Sequence, residues 1–199
     1  MGSTTTLEGV LGRLYRKDPE GLAHLHRVAE LTARIGEELG MPEEQMDDLE
    51  RAALLHDLGR LVLPDPPPLA ATRQDATTLA RRALQVEIAC SVASALPFLR
   101  PAAEILQASV ECFDGTGYPE GRRGEDIPLA ARVLHLADTL DTLNAICDAL
   151  AAPAEVASAE LVRQAGSRFD PEVVAAWLRC EDDVPPALVP WWTSTTRMN

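Results

Sequence analysis

Between Gly21 and Leu39 the apolar residues Leu22, Leu25, Val28, Leu31, Ile35 and Leu39 recur at intervals of three and four, the spacing that places them on one face of an α-helix. Gly40 ends the segment and Pro42 opens the next helix, since proline is tolerated in a first helical turn. That second helix is predicted from about Glu43 to Arg60 and carries "RAALLHDLGR". The stretch "LVLPDPPPLAATRQD" holds four prolines and is predicted as a loop of about a dozen residues. Helical patterning resumes near Ala76, breaks at Pro97 and Pro101, and runs on to about Cys112. A glycine-rich segment follows, then a helix from Leu129 to about Leu150 containing "ARVLHLADTLDTL", and shorter helices near Glu155 to Ala165 and Pro171 to Arg179. There is no internal repeat and almost no alternating strand pattern. The expected fold is an all-α helical bundle of about seven or eight helices. Residues 1–17 are an N-terminal helical lead-in, 18–181 the domain proper and 182–199 a C-terminal tail.

A chain of 199 residues can bury a substantial core, and 46% hydrophobic with only 4% aromatic residues makes that core one of Leu, Val, Ile and Ala. The formal net charge is −13, from 31 acidic against 18 basic residues, so a nucleic-acid polymer or an anionic membrane is excluded as a partner on electrostatic grounds. A small anionic ligand remains compatible with this charge if a metal supplies local positive potential. All but one of the basic residues are arginine, Lys17 being the exception, a composition bias that lessens the meaning of Arg-for-Lys exchanges. Cys90, Cys112, Cys147 and Cys180 are widely spaced without a C-x-x-C pair, which reads as buried thiols in a reducing cytoplasm rather than a zinc knuckle or disulfide framework. No apolar run approaches the roughly 18 residues of a membrane span, and a cytoplasmic location is expected.

Four histidines are present, His24, His26, His56 and His135. His56 and Asp57 end the apolar run "AALLHD", and a buried imidazole beside a buried carboxylate is costly unless something pairs them. By itself the dipeptide reads as a hydrogen-bonded core histidine with a helix-end aspartate. His24 on the preceding helix and Asp138 on the later one change that reading, because the pattern H…HD…D over three helices resembles the HD superfamily of metal-dependent phosphohydrolases. The segment "FDGTGYPEGRRGEDIPLAARVLHLADTLDTL" further resembles the HD-GYP subfamily, with Glu111, Asp114, Gly115, Gly117, Tyr118, Pro119, Gly121, Gly124, Ile127, Pro128, Arg132 and Asp138 matching its signature.

The resemblance extends from about Asp18 to "FDPEVVAAW" at Phe169 to Trp177 and implies an HD-type bundle. It also implies one divalent cation (Mn, Fe, Ni, Zn or Mg) held by His24, His56, Asp57 and Asp138, a donor set suited to such ions. Asp57 and Arg60 are implied in catalysis, Arg60 and Arg132 face substrate phosphate, and Asp114, Gly115, Gly117, Tyr118 and Pro119 form a loop that touches substrate or a signalling partner. Family members hydrolyse cyclic di-GMP with two or three metals, and here the family's second-site histidines fall on Gln85, Ser109 and Val110. The R-P-Y-R segment after the last metal helix is replaced by "CDAL", Cys147 to Leu150. Glu20, one helical turn before His24, and Gln85, whose amide oxygen can donate, are weighed as additional ligands, although an acidic residue in a first helical turn is favoured by the helix dipole alone. His135 is read as a helix-surface histidine, with a role orienting Asp138 as the alternative. Trp191 and Trp192 read as a tail packed over the helices, or else a docking patch.

Three functional readings follow. In the first the domain is degenerate, holds a mononuclear site, performs little or no hydrolysis, and serves signalling by binding cyclic di-GMP, a related nucleotide or a partner protein. In the second it is an active metal-dependent phosphohydrolase on cyclic di-GMP or another nucleotide. In the third the four residues are a metal-free core network.

Overall fold

The computed structural model describes residues 2–63, 76–153 and 155–180. These form α1 (Gly2–Leu14), α2 (Pro19–Glu38), α3 (Glu43–Leu55), α4 (Leu58–Val62), α5 (Ala76–Ser94), α6 (Arg100–Ala108), α7 (Leu129–Ala149), α8 (Glu155–Arg163) and α9 (Pro171–Cys180). Short 3-10 turns stand at Pro97–Leu99 and Gly124–Asp126. No β-strand occurs among the described residues, and a bridge between Ala165 and Phe169 is isolated. The fold is therefore the expected all-α bundle. The proline-rich stretch 64–75 and the tail with Trp191 and Trp192 lie outside the described residues.

Helix α2 has defined ends. Asp18 caps its start, accepting from the Gly21 amide at 2.9 Å, with Pro19 in the first turn. At its end Gly40 adopts φ +66°, and the amides of Gly40 and Met41 bond the carbonyls of Glu37 and Gly36, a closure that needs a left-handed residue. The buried stripe Leu25, Val28 and Ile35 packs α2 against α3, α7 and α9. Helix α7 is buried along much of its length, through Val133, Leu134, Leu136, Ala137 and Leu140, so it is the central helix. Leu11 and Tyr15 carry the end of α1 into the same core.

The helix predicted from Glu43 to Arg60 is broken into α3 and α4. His56 Nδ1 binds the Ala53 carbonyl at 2.7 Å, the acceptor that the Asp57 amide would use in a continuing helix. Asp57 leaves helical geometry at φ −97°, ψ 7°, and the Arg60 amide then bonds the Asp57 carbonyl at 2.9 Å. Helix α6 also stops earlier than predicted, at Ala108. No helix among the described residues is long and apolar enough to cross a membrane.

Candidate metal centre

Three elements bring the donors together: α2 supplies His24, the α3–α4 break supplies His56 and Asp57, and α7 supplies Asp138. His24 Nδ1 lies 2.7 Å from Asp141 Oδ2. An ionised carboxylate only accepts, so this nitrogen carries the proton. His56 Nδ1 faces the Ala53 carbonyl, which likewise only accepts. Both imidazoles thus turn Nε2 toward the same point, and the two Nε2 atoms are 3.2 Å apart. Asp138 Oδ1 stands 3.4 and 3.5 Å from them, while Asp57 Oδ2 is 3.5 Å from His24 Nε2 and its Oδ1 is 3.6 Å from His56 Nε2.

Two facing nitrogen lone pairs at this separation repel unless a proton or a cation lies between them. Nitrogen ligands at about 2.1 Å from one ion, at angles between octahedral and tetrahedral, are roughly 3.0–3.4 Å apart, so the residues fit a divalent cation. His24, His56 and Asp57 offer ligand atoms all within 4.8 Å of one another. The electrostatics agree: burial works against charge on His56, but Asp57 and Asp138 outweigh it and lift its pKa to about 9. His24 is raised in the same way, burial being outweighed chiefly by Asp138. Asp138 is driven well below the usual carboxylate range, since hydrogen bonds and charge from the two imidazoles outweigh its partial desolvation. Its side chain is 42% exposed and marks the open side of the cluster.

Sequence reasoning did not single out Asp141 or Arg27. Asp141 is buried and accepts from Arg27 Nε at 2.7 Å and Nη2 at 3.0 Å as well as from His24. A histidine ligand needs such an acceptor to fix its tautomer. The spacing could have indicated both, because Asp141 follows Asp138, and Arg27 follows His24, by three residues on the same helix face. Glu20, weighed as a further ligand, instead pairs with Arg27 at 2.9 Å and is 78% exposed, outside the donor cluster. Gln85 is buried, its amide donating to the Leu63 carbonyl at 2.7 Å. Ser109 caps the end of α6 through the Leu106 carbonyl at 2.8 Å, with Val110 next in the turn. Arg60 Nη1 donates to Asp57 Oδ2.

The glycine-rich loop is tied to α7 at His135, one turn before Asp138. Gly115, Gly121 and Gly124 have positive φ, and a Cβ on Gly117 would lie 2.2 Å from the Cys112 amide nitrogen and 2.5 Å from Glu111 Cα, which explains why this segment uses more glycines than a turn needs. Asp114 Oδ1 accepts from the Thr116 amide at 2.9 Å and its hydroxyl at 2.7 Å. The amides of Phe113 and Asp114 bond the carbonyls of Arg168 and Ser167. Tyr118 precedes a cis bond to Pro119, and burial raises its phenol pKa against the opposing charge of Arg82.

Two expectations are corrected here. His135 is not on the surface: it is 9% exposed, donates from Nδ1 to the Glu111 carbonyl at 2.9 Å and accepts at Nε2 from Arg168 Nε at 3.0 Å. Burial, reinforced by Arg168, lowers its pKa to about 3. The error arose because helix α7 is apolar on several faces, so position relative to Asp138 did not reveal exposure. Arg132 does not face the metal cluster with a free guanidinium. It ion-pairs with buried Asp170 and donates from Nε to the Ile127 carbonyl at 2.9 Å, joining α7 to the start of α9.

The family profile described as "HD domain" matches residues 13–173. The chain is 33% identical over 177 residues to the cyclic di-GMP phosphodiesterase response regulator RpfG of Xanthomonas campestris, covering 87% of this chain and 47% of that protein. It is 32% identical over 165 residues to 3'3'-cGAMP-specific phosphodiesterase 2 of Vibrio cholerae, covering 81% and 31%. The chain thus spans half or less of the length of these curated relatives. Among solved structures, a cyclic GMP-AMP specific phosphodiesterase of V. cholerae superposes with a TM-score of 0.65 at 22% identity, over 85% of this chain and 46% of that one. An HDG"Y"P protein from Bdellovibrio bacteriovorus gives 0.62 at 20% identity, over 78% and 50%. With the H…HD…D residues converged in a helical bundle and the glycine-rich loop packed beside them, the chain belongs to the HD domain family, in its HD-GYP subfamily.

Proposed function

We propose that this domain serves cyclic-dinucleotide signalling by holding one divalent cation at His24, His56, Asp57 and Asp138 and recognising a cyclic dinucleotide there with little or no hydrolysis. The carrying observation is the pair of Nε2 atoms 3.2 Å apart, both Nδ1 atoms being tied elsewhere, with Asp57 and Asp138 beside them. A bound cation in such a site polarises a phosphoryl oxygen and lowers the pKa of water. The chain's own residues do the rest. Asp141 and the Ala53 carbonyl fix both imidazole tautomers, Arg60 holds Asp57 and brings positive charge to the cluster edge, and the Asp114–Pro119 loop offers a contact surface for the nucleotide or a signalling protein. Limited hydrolysis is inferred because the positions read as a second ligand set carry Gln85 and Ser109, whose polar groups bond Leu63 and Leu106, and Val110, which has no donor atom.

The second reading, an active phosphohydrolase, is favoured by the completeness of the four-residue donor set and by the phosphodiesterase names of relatives about one-third identical. Elemental analysis of anaerobically purified protein, with cyclic di-GMP binding and turnover measured alongside, separates the readings. One ion per chain, nucleotide binding and negligible turnover are expected. Asp138→Ala should lose the ion and the increment of melting temperature that it gives. Rapid turnover would support the second reading. Absence of metal from wild-type protein resupplied with Mn, Fe or Zn would refute both.

A further inference from the structure

Helices α1, α2 and α3 leave a groove between them, with a cavity of about 350 Å³. His26 lines it and follows His24 by two residues, about 200° around the helix, so the groove lies on the side of α2 turned away from the metal donors. Its apolar part is formed by Ala29 and Ala33 of α2 with Met46 and Leu54 of α3. The two alanines stand one turn apart, and their short side chains leave space that larger residues would fill. At one end the helices close together: a Cβ on Gly36 would lie 2.4 Å from Met46 Sδ. The rim is acidic. Glu8, Glu30, Asp47 and Glu50 complete the lining, with His26 the one basic side chain among them. Asp47 pairs with Arg51 at 3.2 Å, but that arginine also holds Asp48 at 2.7 Å, so its charge is already met. Glu8, Glu30 and Glu50 have no ion-pair partner among the described residues, whereas carboxylates elsewhere, such as Glu38, Glu160 and Asp170, are met by arginine. Glu50 is moreover partly buried, and an unpaired carboxylate taken out of water is unfavourable.

An apolar floor takes an apolar group, and a rim of unpaired carboxylates selects a cationic partner and repels an anionic one. From His26 to Ala33 the groove follows two turns of α2, about 10 Å at 1.5 Å per residue, the length over which a docked helix presents anchors at i, i+3, i+4 and i+7. A second copy of this chain is disfavoured as the occupant by its net charge of −13. We infer that the groove between α1, α2 and α3 docks a basic amphipathic helix of a partner protein, its apolar anchors entering over Ala29 and Ala33 and its flanking lysines or arginines pairing with Glu30 and Glu50. None of the metal donors lines the groove, so the inference stands apart from nucleotide recognition.

The probe is a fluorescein-labelled synthetic helix with leucines at i, i+3, i+4 and i+7 and lysines elsewhere, compared by anisotropy with a scrambled peptide of the same composition. It is titrated with the full chain, with the double variant Glu30→Gln/Glu50→Gln, and with Ala33→Met, which fills the floor. A further pair, Glu125→Gln/Glu155→Gln, removes the same charge at exposed positions outside the groove. The patterned peptide should bind wild type about tenfold or more tighter than the scrambled one. Both groove variants should weaken it by about tenfold, while the control pair changes it by less than about twofold, since exposed charges at a distance are screened by salt. The glutamine variants keep the shape of the rim, so the test holds even if Ala33→Met melts early. Equal binding of the two peptides, or an equal loss in the control pair, would mean only general attraction to an acidic chain and would overturn the docking site, as would no binding at all. Sedimentation of the chain alone tests the other occupant: self-association that is lost in Glu30→Gln/Glu50→Gln would place a second copy in the groove and refute the basic partner.

Discussion

Replacing His135 by glutamine should flatten the acid side of the stability profile. The imidazole is buried between the Glu111 carbonyl and the Arg168 guanidinium, and burial followed by the Arg168 charge lowers its pKa to about 3. In the unfolded chain it returns to about 6.5. Because the folded value is depressed, His135 favours folding above pH 6.5 and that contribution is lost as pH falls toward 3, where the unfolded state binds a proton that the folded state does not. Between pH 8 and pH 5 the linkage amounts to about 2 kcal/mol, and each further unit costs about 1.4 kcal/mol until the folded pKa is approached. Glutamine cannot titrate, and its amide retains one donor and one acceptor for Glu111 and Arg168. Urea unfolding at several pH values from 8 to 4.5, with chelator present in both proteins, gives the comparison. The variant should be less stable at pH 8, and the difference should shrink by about 2 kcal/mol by pH 5. Carboxylates and the remaining histidines contribute to both profiles and cancel. A pH-independent difference between the proteins would show that His135 titrates alike in the folded and unfolded chain, and its assignment as a buried neutral imidazole would be lost.

Three further substitutions address other links. Asp141→Asn should weaken metal binding about 10–100-fold without abolishing it, since the ring of His24 would lose its charged acceptor but keep its coordinating nitrogen; unchanged affinity in a competitive chelator titration would remove Asp141 from the site. Gly59→Ala should destabilise by about 2–3 kcal/mol, because the new Cβ would stand 2.1 Å from the Gln85 carbonyl oxygen and 2.5 Å from its Cα, backbone atoms that cannot rotate aside; wild-type stability in urea would contradict this packing of α4 on α5. Arg132→Ala should cost about 3–5 kcal/mol by stranding Asp170 in the core while leaving the affinity of folded protein for cyclic di-GMP unchanged. A selective loss of nucleotide binding at normal stability would restore Arg132 to the phosphate-facing role.

The helices were legible wherever apolar spacing was uninterrupted and a stop residue was present, as in α2 with Asp18 at its start and Gly40 at its end. The break at His56 was not, because periodicity continues through "ALLHDLGRL" and the interruption comes from a side-chain bond to Ala53 that spacing does not encode. Of the candidate site, His24, His56, Asp57 and Asp138 were found through motif order, and the structure places their polar atoms together. Asp141 and Arg27 escaped because each works through another residue, Asp141 by holding His24 and Arg27 by holding that acceptor. His135 and Arg132 were misplaced for a related reason. On a central helix buried along much of its length, helical phase alone does not distinguish a side chain facing the ligand cluster from one facing another core contact.

The same geometry shows how Gln85, Ser109 and Val110 are accommodated in the fold. The polar groups at two of the three positions are absorbed locally, Gln85 by the Leu63 carbonyl and Ser109 by the Leu106 carbonyl. The glycine-rich loop draws its shape from elsewhere: Glu111 Oε1 accepts from the Glu120 amide at 2.7 Å, Gly117 sits against the Glu111–Cys112 backbone, and Arg168 and Ser167 receive the Phe113 and Asp114 amides. His135 ties that assembly to α7 one turn before Asp138. Loop and donor cluster are consequently joined through α7 by the Glu111–His135–Arg168–Thr139 chain of hydrogen bonds, whose links do not include residues 85, 109 or 110. Residues 85, 109 and 110 stand outside this connection, which joins the loop to α7 within one turn of Asp138.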